Sequence, residues 1–191
     1  MNINLGLNMV SESTRRRGRQ NDPDRTTPAG YAAVYPTPET VRFVMSELEK
    51  IGLKTDFDPK DLHVTMMYDR ENPVLFHPAA PIQIEATVNS AALFGHEENT
   101  LVLKLDSQGL IARHKYLRQM GYRHSYPEYE PHMTIKVPAD QLDLDLLNQG
   151  LSAGAFSGVR LVFGGETWEP IREDAYAKYE DSEDKNVEGD E

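Results

Sequence analysis

The sequence predicts an α+β fold in which two similar lobes, each built from antiparallel strands and a helix, surround a central cleft. Apolar residues alternate along the chain between the two-residue period of strands and the 3.6-residue period of helices. The two halves of the chain also resemble each other at a constant offset of 69 residues. Because both halves carry the same order of predicted elements, one duplicated unit accounts for the pattern.

The first half begins with a strand and a helix. Residues 31–35 form a short apolar strand candidate, and Thr37 and Pro38 suit the N-cap and the first position of a helix. Gly52 is a favourable residue just beyond the end of that helix. One face of the predicted helix is apolar and consists of Val41, Val44, Met45 and Leu48.

The rest of the chain continues this alternation. We expect further strands at residues 62–68, 82–94, 100–106, 132–137 and 159–168. We expect further helices at about residues 108–120 and 140–147. A length of 191 residues favours one domain, or two small lobes that share one interface.

The internal repeat aligns without gaps. The matched segments are 31–35 with 100–104, 50–54 with 119–123, and 61–66 with 130–135. The offset is longer than the periods of solenoid arrays, so it indicates one duplicated lobe.

Each repeat contains a His-x-Thr motif within a predicted strand. Successive strand residues point to opposite faces, so His63 and Thr65 share one face and Val64 lies on the other. His132 and Thr134 share a face in the same way. A pseudo-two-fold axis would bring both polar pairs into one cleft. For one motif alone, the polar face of an ordinary strand is the simpler interpretation. Two motifs at equivalent positions of the repeat favour a functional interpretation.

Two imidazoles and two hydroxyls suit the cleavage of a phosphodiester. A neutral imidazole accepts a proton from an attacking hydroxyl, and an imidazolium gives one to the leaving oxygen. Both forms are accessible at neutral pH because the unperturbed pKa of histidine is about 6.5. Threonine hydroxyls can donate to the non-bridging phosphate oxygens. Each motif supplies one nitrogen ligand and no carboxylate cluster accompanies it, so we expect neither a metal nor another cofactor.

At residues 63–66 (HVTM) and 132–135 (HMTI) the chain resembles the 2H phosphoesterase superfamily, which carries two such motifs in a bilobal α+β fold. The resemblance covers about residues 30–168. Within the superfamily, the motif spacing and the tyrosine in the first strand are similar to those of the phage anti-CBASS phosphodiesterases. Those proteins degrade the cyclic di- and trinucleotides that bacteria use to signal infection.

That resemblance implies attack by a ribose 2′-hydroxyl or by water on a 3′,5′ linkage, without a metal ion. The product would be linear and end in a 3′-phosphate. His63 and His132 would be the base and the acid, in an order that the sequence does not assign, while Thr65 and Thr134 would hold the phosphate. The implied partner is a cyclic nucleotide, and neither a membrane nor a long nucleic acid is expected.

The resemblance further implies aromatic residues that stack on bases. Tyr31 is the first candidate, and Glu166 and Trp168 share a face of the last strand, where they could read and stack on a base. Tyr68 and Tyr122 are weaker candidates. Structural alternatives stay open for the first three: an edge-strand tyrosine, a salt-bridged glutamate and a half-buried core tryptophan.

The other histidines are expected in loops or on a polar helix face, at the protein surface. They are His77, His96, His114 and His124. Of these, His124 precedes the second motif and could contact a substrate there, although nothing in the sequence requires it.

Both ends of the chain differ in composition from its centre. We expect a flexible polar extension at 1–29, the phosphoesterase domain at 30–171 and an acidic disordered tail at 172–191. Residues 173–191 hold nine acidic and two basic residues, out of a net charge of −11. This charge argues against a general nucleic-acid binder and leaves room for a small anion in a local pocket.

The sequence also bears on location. It has no cysteine, no start typical of a signal peptide and no apolar run long enough to span a bilayer. We therefore expect a cytoplasmic protein, in the host cell if a phage encodes it.

Three other functions remain open at this point. The first is an RNA 2′,3′-cyclic phosphodiesterase or a 2′-5′ RNA ligase-like enzyme, which keeps the same catalytic residues. The second is a protein that sequesters cyclic nucleotides without cleaving them. The third is an α+β interaction domain in which the motifs are coincidental.

Overall fold

The computed structural model describes residues 29–55, 57–70, 83–95, 97–126 and 128–171. Six strands and three α-helices alternate within these ranges, which confirms the predicted α+β class. The acidic tail and nearly all of the polar extension lie outside the described residues, as do His77 and His96.

The elements occur in the predicted order. The strands are β1 (Gly30–Pro36), β2 (Val64–Asp69), β3 (Ile84–Phe94), β4 (Thr100–Asp106), β5 (His132–Lys136) and β6 (Leu161–Pro170). The helices are α1 (Pro38–Lys50), α2 (Gln108–Gln119) and α3 (Gln141–Ser152), and a short 3-10 helix (Pro59–Asp61) precedes β2. Compared with the prediction, α3 continues five residues further and β6 begins and ends two residues later.

Local side chains explain where the helices begin and end. The Thr37 hydroxyl accepts a hydrogen bond from the Thr40 N–H at 3.3 Å, as expected of an N-cap. After α1, Gly52 has a φ of 77°, a left-handed conformation that glycine adopts without steric cost. At the start of α3, Asp140 and Asp143 form a reciprocal capping box, and the helix begins at Gln141, one residue after the predicted start.

All six strands pair antiparallel and close in the order β1-β2-β5-β4-β3-β6. The described strands therefore form one continuous antiparallel sheet, and the predicted two-lobed phosphoesterase fold stays a prediction. The two repeats are β1-α1-β2 and β4-α2-β5, and β3 and β6 complete the closure. The repeated units meet where β2 pairs with β5.

The register of the sheet carries the pseudo-symmetry of the sequence. Val64 of β2 pairs with Met133 of β5, and these two residues are 69 positions apart. In an antiparallel pair, a residue that faces its own equivalent lies on a local two-fold axis. The axis that relates the two repeats therefore passes between Val64 and Met133.

The irregularities of the sheet repeat as well. The β1–β2 register shifts between Ala32 and Ala33, and the β4–β5 register shifts between Leu101 and Val102. These two positions are again 69 residues apart. Because bulges set the local twist of a strand pair, this shared irregularity gives both motif strands the same geometry.

One hydrophobic core joins the sheet to the helices. Val64, Met66, Met133 and Ile135 are fully buried and belong to the same cluster as the buried residues of all three helices. The helix residues in that cluster are Val44, Leu48, Leu110, Leu117 and Leu147. The opposite face of β2 and β5 is thereby left for the polar motif residues. Among the described helices, none has the length and apolar character needed to cross a membrane.

Candidate active site

The two His-x-Thr motifs lie on one face of β2 and β5. Along β2, buried Val64 alternates with partly exposed Thr65, and along β5 buried Met133 alternates with partly exposed His132 and Thr134. The predicted alternation of core and polar faces is therefore confirmed. His63 lies one residue before β2 and is also partly exposed.

The register brings the two motifs together. From the Val64–Met133 pair, one step along each antiparallel strand sets His63 opposite Thr134 and Thr65 opposite His132. Residues that face each other across such a pair point to the same side of the sheet. The two histidines and two threonines thus occupy one patch around the pseudo-two-fold axis.

Each motif imidazole is held by a backbone carbonyl. His63 Nδ1 lies 2.7 Å from the Asp61 carbonyl oxygen, and His132 Nδ1 lies 2.7 Å from the Glu130 carbonyl oxygen. A carbonyl oxygen only accepts, so Nδ1 carries the proton in both rings. The unprotonated nitrogen of each neutral ring is therefore Nε2, and both contacts obey the 69-residue offset.

The electrostatic environment of His132 favours its neutral form. Burial lowers the pKa of His132 below its usual value, and the charges of His63 and Lys104 act in the same direction. The carbonyl and carboxylate of Glu130 oppose this shift. An imidazole that stays neutral at pH 7 is suited to accept a proton.

The two threonines contribute hydroxyls to the same patch. Thr65 and Thr134 are partly exposed, and neither hydroxyl is hydrogen-bonded to another residue in the part of the chain that the structure describes. Both hydroxyls can therefore donate to an oxygen of a bound ligand. Within the described ranges, no three His, Cys, Asp or Glu side chains are grouped so as to hold a metal ion.

A cleft of about 560 Å³ opens beside His63. The ring of Tyr31 stacks on the His63 ring at a centroid distance of 5.6 Å and on the Tyr68 ring at 6.3 Å. Two of the predicted aromatic residues, Tyr31 and Tyr68, thus line this cleft together with the imidazole. The full lining consists of Tyr31, Tyr35, Lys60, Asp61, His63, Tyr68, Glu169, Pro170 and Ile171.

Tyr35 and Glu169 are two of the lining residues that were not predicted from the sequence. Tyr35 donates from its hydroxyl to Glu169 Oε1 at 3.3 Å, and the Thr167 hydroxyl donates to the same oxygen at 3.0 Å. Tyr35 lies four residues after Tyr31, and the two-residue period of a strand was a signal that could have found it. Glu169 lies beyond residue 168, where the predicted last strand ended.

The surroundings of His132 differ from those of His63. The Phe94 ring meets the His132 ring edge to face at 4.8 Å. Lys104 pairs with His132 across β4 and β5, and its ammonium contacts the Glu130 carboxylate at 2.5 Å. Lys104 and Phe94 therefore lie beside His132, whereas tyrosines lie beside His63.

Three predicted substrate-binding residues do not line the cleft. Glu166 is buried and forms a bidentate ion pair with Arg113 of α2, at 2.8 and 2.7 Å. Tyr122 is 3% exposed and its ring contacts the Trp168 ring at 5.4 Å. This geometry favours the structural alternatives, a salt-bridged glutamate and a core tryptophan, although binding by these residues stays a prediction.

The expectation of a surface position is wrong for His114. This residue of α2 is 6% exposed, donates from Nδ1 to the Met66 carbonyl at 2.6 Å and stacks on the Tyr129 ring at 4.1 Å. His124 is partly buried against the same two rings. The loop before β5 folds back over α2 and covers His114, a contact that local sequence does not reveal.

Comparison with known proteins shows the family to which this chain is similar. A family model described as anti-CBASS protein Acb1 matches residues 28–178, which include both motifs and all six strands. The match therefore covers well over half of the chain.

Individual relatives agree with the family match. Anti-CBASS protein Acb1 of Vibrio phage KVP40 is 32% identical over 87 residues, which is 44% of this chain and 56% of that protein. The Enterobacteria phage T4 protein of the same name is 31% identical over 74 residues, or 39% of this chain and 49% of that one. A Caulobacter protein with this name is 30% identical over 136 residues, covering 64% of this chain and 20% of its own length. The chain thus spans about half the length of the two phage relatives.

Proposed function

The chain belongs to the anti-CBASS protein Acb1 family, and from that membership we propose that it is a phosphodiesterase acting on cyclic oligonucleotides. The proposed substrates are cyclic di- and trinucleotides that signal in CBASS immunity, and the proposed role is phage counter-defence. Cleavage of a 3′,5′ linkage proceeds without a metal ion, as in the 2H superfamily that the motifs resemble. The cytoplasm is the proposed place of action.

The observation that carries this proposal is the equivalent placement of two imidazoles. Both donate from Nδ1 to a carbonyl two residues earlier, at 2.7 Å, and both leave Nε2 for proton transfer. General acid–base cleavage needs two such groups, one on each side of the phosphate. The pseudo-two-fold axis between Val64 and Met133 supports the proposal of such an arrangement.

The bond changes follow from these roles. One Nε2 takes the proton of a ribose 2′-hydroxyl as its oxygen bonds to the adjacent phosphorus. The P–O5′ bond breaks, and the second Nε2 gives a proton to the departing oxygen. The ring opens to a 2′,3′-cyclic phosphate end, and water then opens that end to a 3′-phosphate. Direct attack by water gives the same linear product in one step.

Threonines and tyrosines complete the proposed site. The hydroxyls of Thr65 and Thr134 donate to the non-bridging oxygens, where negative charge develops in the transition state. Tyr31 and Tyr68 present stacked rings beside His63, onto which a base can extend the stack. The cleft of about 560 Å³ falls in the size range of small-molecule sites.

The deciding experiment incubates the purified protein with 3′,3′-cyclic GMP-AMP in excess EDTA, with products followed by chromatography and mass spectrometry. We expect a linear dinucleotide that carries a terminal 3′-phosphate. We expect His63→Ala to lower the rate by about 10²–10⁴-fold, because a proton-transfer group is lost. The variant should still bind the cyclic dinucleotide, since Tyr31 and Tyr68 still stack on each other.

Two threonine variants provide a matched control. Thr65→Ser keeps the hydroxyl and should retain most of the rate, whereas the nearly isosteric Thr65→Val should lose it. Intact cyclic dinucleotides and trinucleotides after incubation with wild-type protein, with binding preserved, would instead favour sequestration. Turnover that stops in EDTA would contradict metal-independent cleavage. Selective cleavage of RNA 2′,3′-cyclic ends would support the RNA-processing alternative.

A further inference from the structure

The two halves of the site are related by symmetry but differ in charge. At the 69-residue offset, the residue equivalent to Tyr35 beside His63 is Lys104 beside His132. Tyr35 contacts the His63 ring at a centroid distance of 6.0 Å. The neighbour of His63 is therefore a neutral phenol, whereas the neighbour of His132 is a lysine that carries a positive charge.

The position of Lys104 is fixed by two contacts. It faces His132 in the β4–β5 register, so both side chains lie on the face that carries the motifs. Its ammonium contacts the Glu130 carboxylate at 2.5 Å, and the carbonyl of that same residue holds His132 Nδ1. The Lys104 side chain is 34% exposed, so a ligand on the motif face can reach it.

A cation at this point has a clear electrostatic use. A phosphodiester carries one negative charge, and more charge develops on its non-bridging oxygens as the attacking oxygen bonds to phosphorus. The threonine hydroxyls are neutral donors. An ammonium group has three N–H donors, and a single Glu130 oxygen occupies only one of them.

Building on the proposed function, we propose that Lys104 binds a non-bridging oxygen of the scissile phosphate beside His132, and that its charge, together with the burial of the ring, makes His132 the base and His63 the acid. A cation next to an imidazole disfavours the imidazolium, so the neutral ring that accepts a proton is the one beside Lys104. His63, between tyrosines, then supplies the proton to the leaving oxygen.

Burial is the largest influence on His132: it lowers the pKa of the ring and favours the neutral form. Glu130 in the preceding loop opposes this shift, while His63 before β2 and Lys104 on β4 add smaller effects in the same direction as burial. Phe94, packed edge to face on the ring, adds an apolar contact.

The kinetic test compares Lys104→Met, Lys104→Arg and a control, Lys50→Met, with 3′,3′-cyclic GMP-AMP as substrate. Lys50 forms a similar ion pair with Glu47 on α1, so the control removes the same charge away from the motif face. We expect Lys104→Met to lower kcat/KM on the order of tenfold to a hundredfold, as loss of a charged phosphate contact does. Lys104→Arg should restore most of it.

The pH profile separates an electrostatic role from a structural one. In Lys104→Met, the acidic limb of kcat/KM should move to higher pH, because the His132 imidazolium is no longer disfavoured by the cation. An unchanged acidic limb, or a kcat/KM equal to that of Lys50→Met, would overturn the inference. A variant that merely unfolds would lose activity without moving the limb.

A binding experiment keeps the inference testable even if no cyclic nucleotide is cleaved. The His132 imidazole signal is followed by NMR against pH and against inorganic phosphate, in wild-type protein and in Lys104→Met. We expect a higher His132 pKa and weaker phosphate binding in the variant, with Lys50→Met resembling wild type. Absence of turnover in wild-type protein would count against the proposed function alone. Identical titrations in both proteins would count against Lys104.

Discussion

The atom that faces Nδ1 of each described histidine determines which nitrogen of the neutral ring carries the proton. His63, His132 and His114 face carbonyl oxygens and must donate. His124 is the exception, because its Nδ1 accepts the Tyr68 N–H at 3.1 Å. A second proton on His124 would occupy Nδ1 and abolish this hydrogen bond to β2.

His124 should therefore make stability depend on pH. Burial lowers its pKa to about 4, helped by the charges of His114, Arg118 and His132 and opposed by Asp69. The unfolded chain takes up a proton near pH 6.5, and the folded protein does so only near pH 4. The stabilisation is thus complete above pH 6.5 and is lost as the pH falls towards 4.

The measurement is thermal unfolding of wild-type protein and His124→Asn between pH 7.5 and 4. Asparagine keeps an acceptor oxygen near the Nδ1 position and does not titrate. We expect the unfolding temperature of the variant to fall less steeply below pH 6.5. Parallel curves would show that another group dominates; the pKa of His114 is also lowered, by burial, so His114→Asn serves as the comparison.

Helix α2 and strand β6 are joined by the ion pair between Arg113 and Glu166. The Glu166 side chain is 1% exposed and the Arg113 side chain 12% exposed, so both charges are largely removed from water. Arg113 also lies over the Tyr116 ring at 4.7 Å. Removing one partner of such a pair leaves the other charge buried without its counter-ion.

Arg113→Met should accordingly lower the free energy of unfolding by about 3–5 kcal/mol. The double variant Arg113→Met, Glu166→Leu should recover part of that loss, because no lone charge remains. Urea unfolding of the two single variants and the double variant measures the coupling. If Glu166 instead binds substrate, Glu166→Gln will raise KM for 3′,3′-cyclic GMP-AMP while the protein stays folded.

At the scale of the whole molecule, sheet closure depends on close approach between β1 and β6. A Cβ added at Gly30 would lie 2.4 Å from the Glu169 carbonyl oxygen and 2.6 Å from Trp168 Nε1. The first of these is backbone and cannot move aside without shifting β6. Glycine at this position therefore lets the strand that carries Tyr31 pair with the strand that carries Glu169.

Gly30→Ala should destabilise the protein by about 1–3 kcal/mol, a typical effect of overpacking. Gly109→Ala is the matched control. There the shortest contact of the added Cβ is with an Ile84 methyl, at 3.0 Å, and alanine favours the helix. Chemical unfolding compares the two. If the two variants unfold with equal free energies, β1 and β6 can move apart at residue 30 without cost. The close contact at Gly30 would then not be needed to shape the cleft.

Much of the fold could be predicted from the sequence because its signals are local. Thr37 and Gly52 mark the ends of α1, and the strand and helix periods fixed the order of nine elements within a few residues. The 69-residue offset reappears in the Val64–Met133 pair. An internal duplication repeats the order of residues along the chain, so it can be recognised in the sequence without knowledge of any contact.

The sequence by itself determined the two motifs, their shared polar face and the aromatic candidate Tyr31, because alternation along a strand is dictated by backbone geometry. The tertiary structure decided which acidic residue of β6 enters the cleft. Gly165, with a φ of 63°, lies in the part of β6 where the β1–β6 register shifts, and beyond it Glu169 faces Tyr35 while Glu166 faces α2. The burial of His114 and the placement of Tyr35 and Lys104 beside the two motif histidines likewise depend on contacts between distant segments. Such contacts follow from packing of the whole chain, which no local pattern encodes.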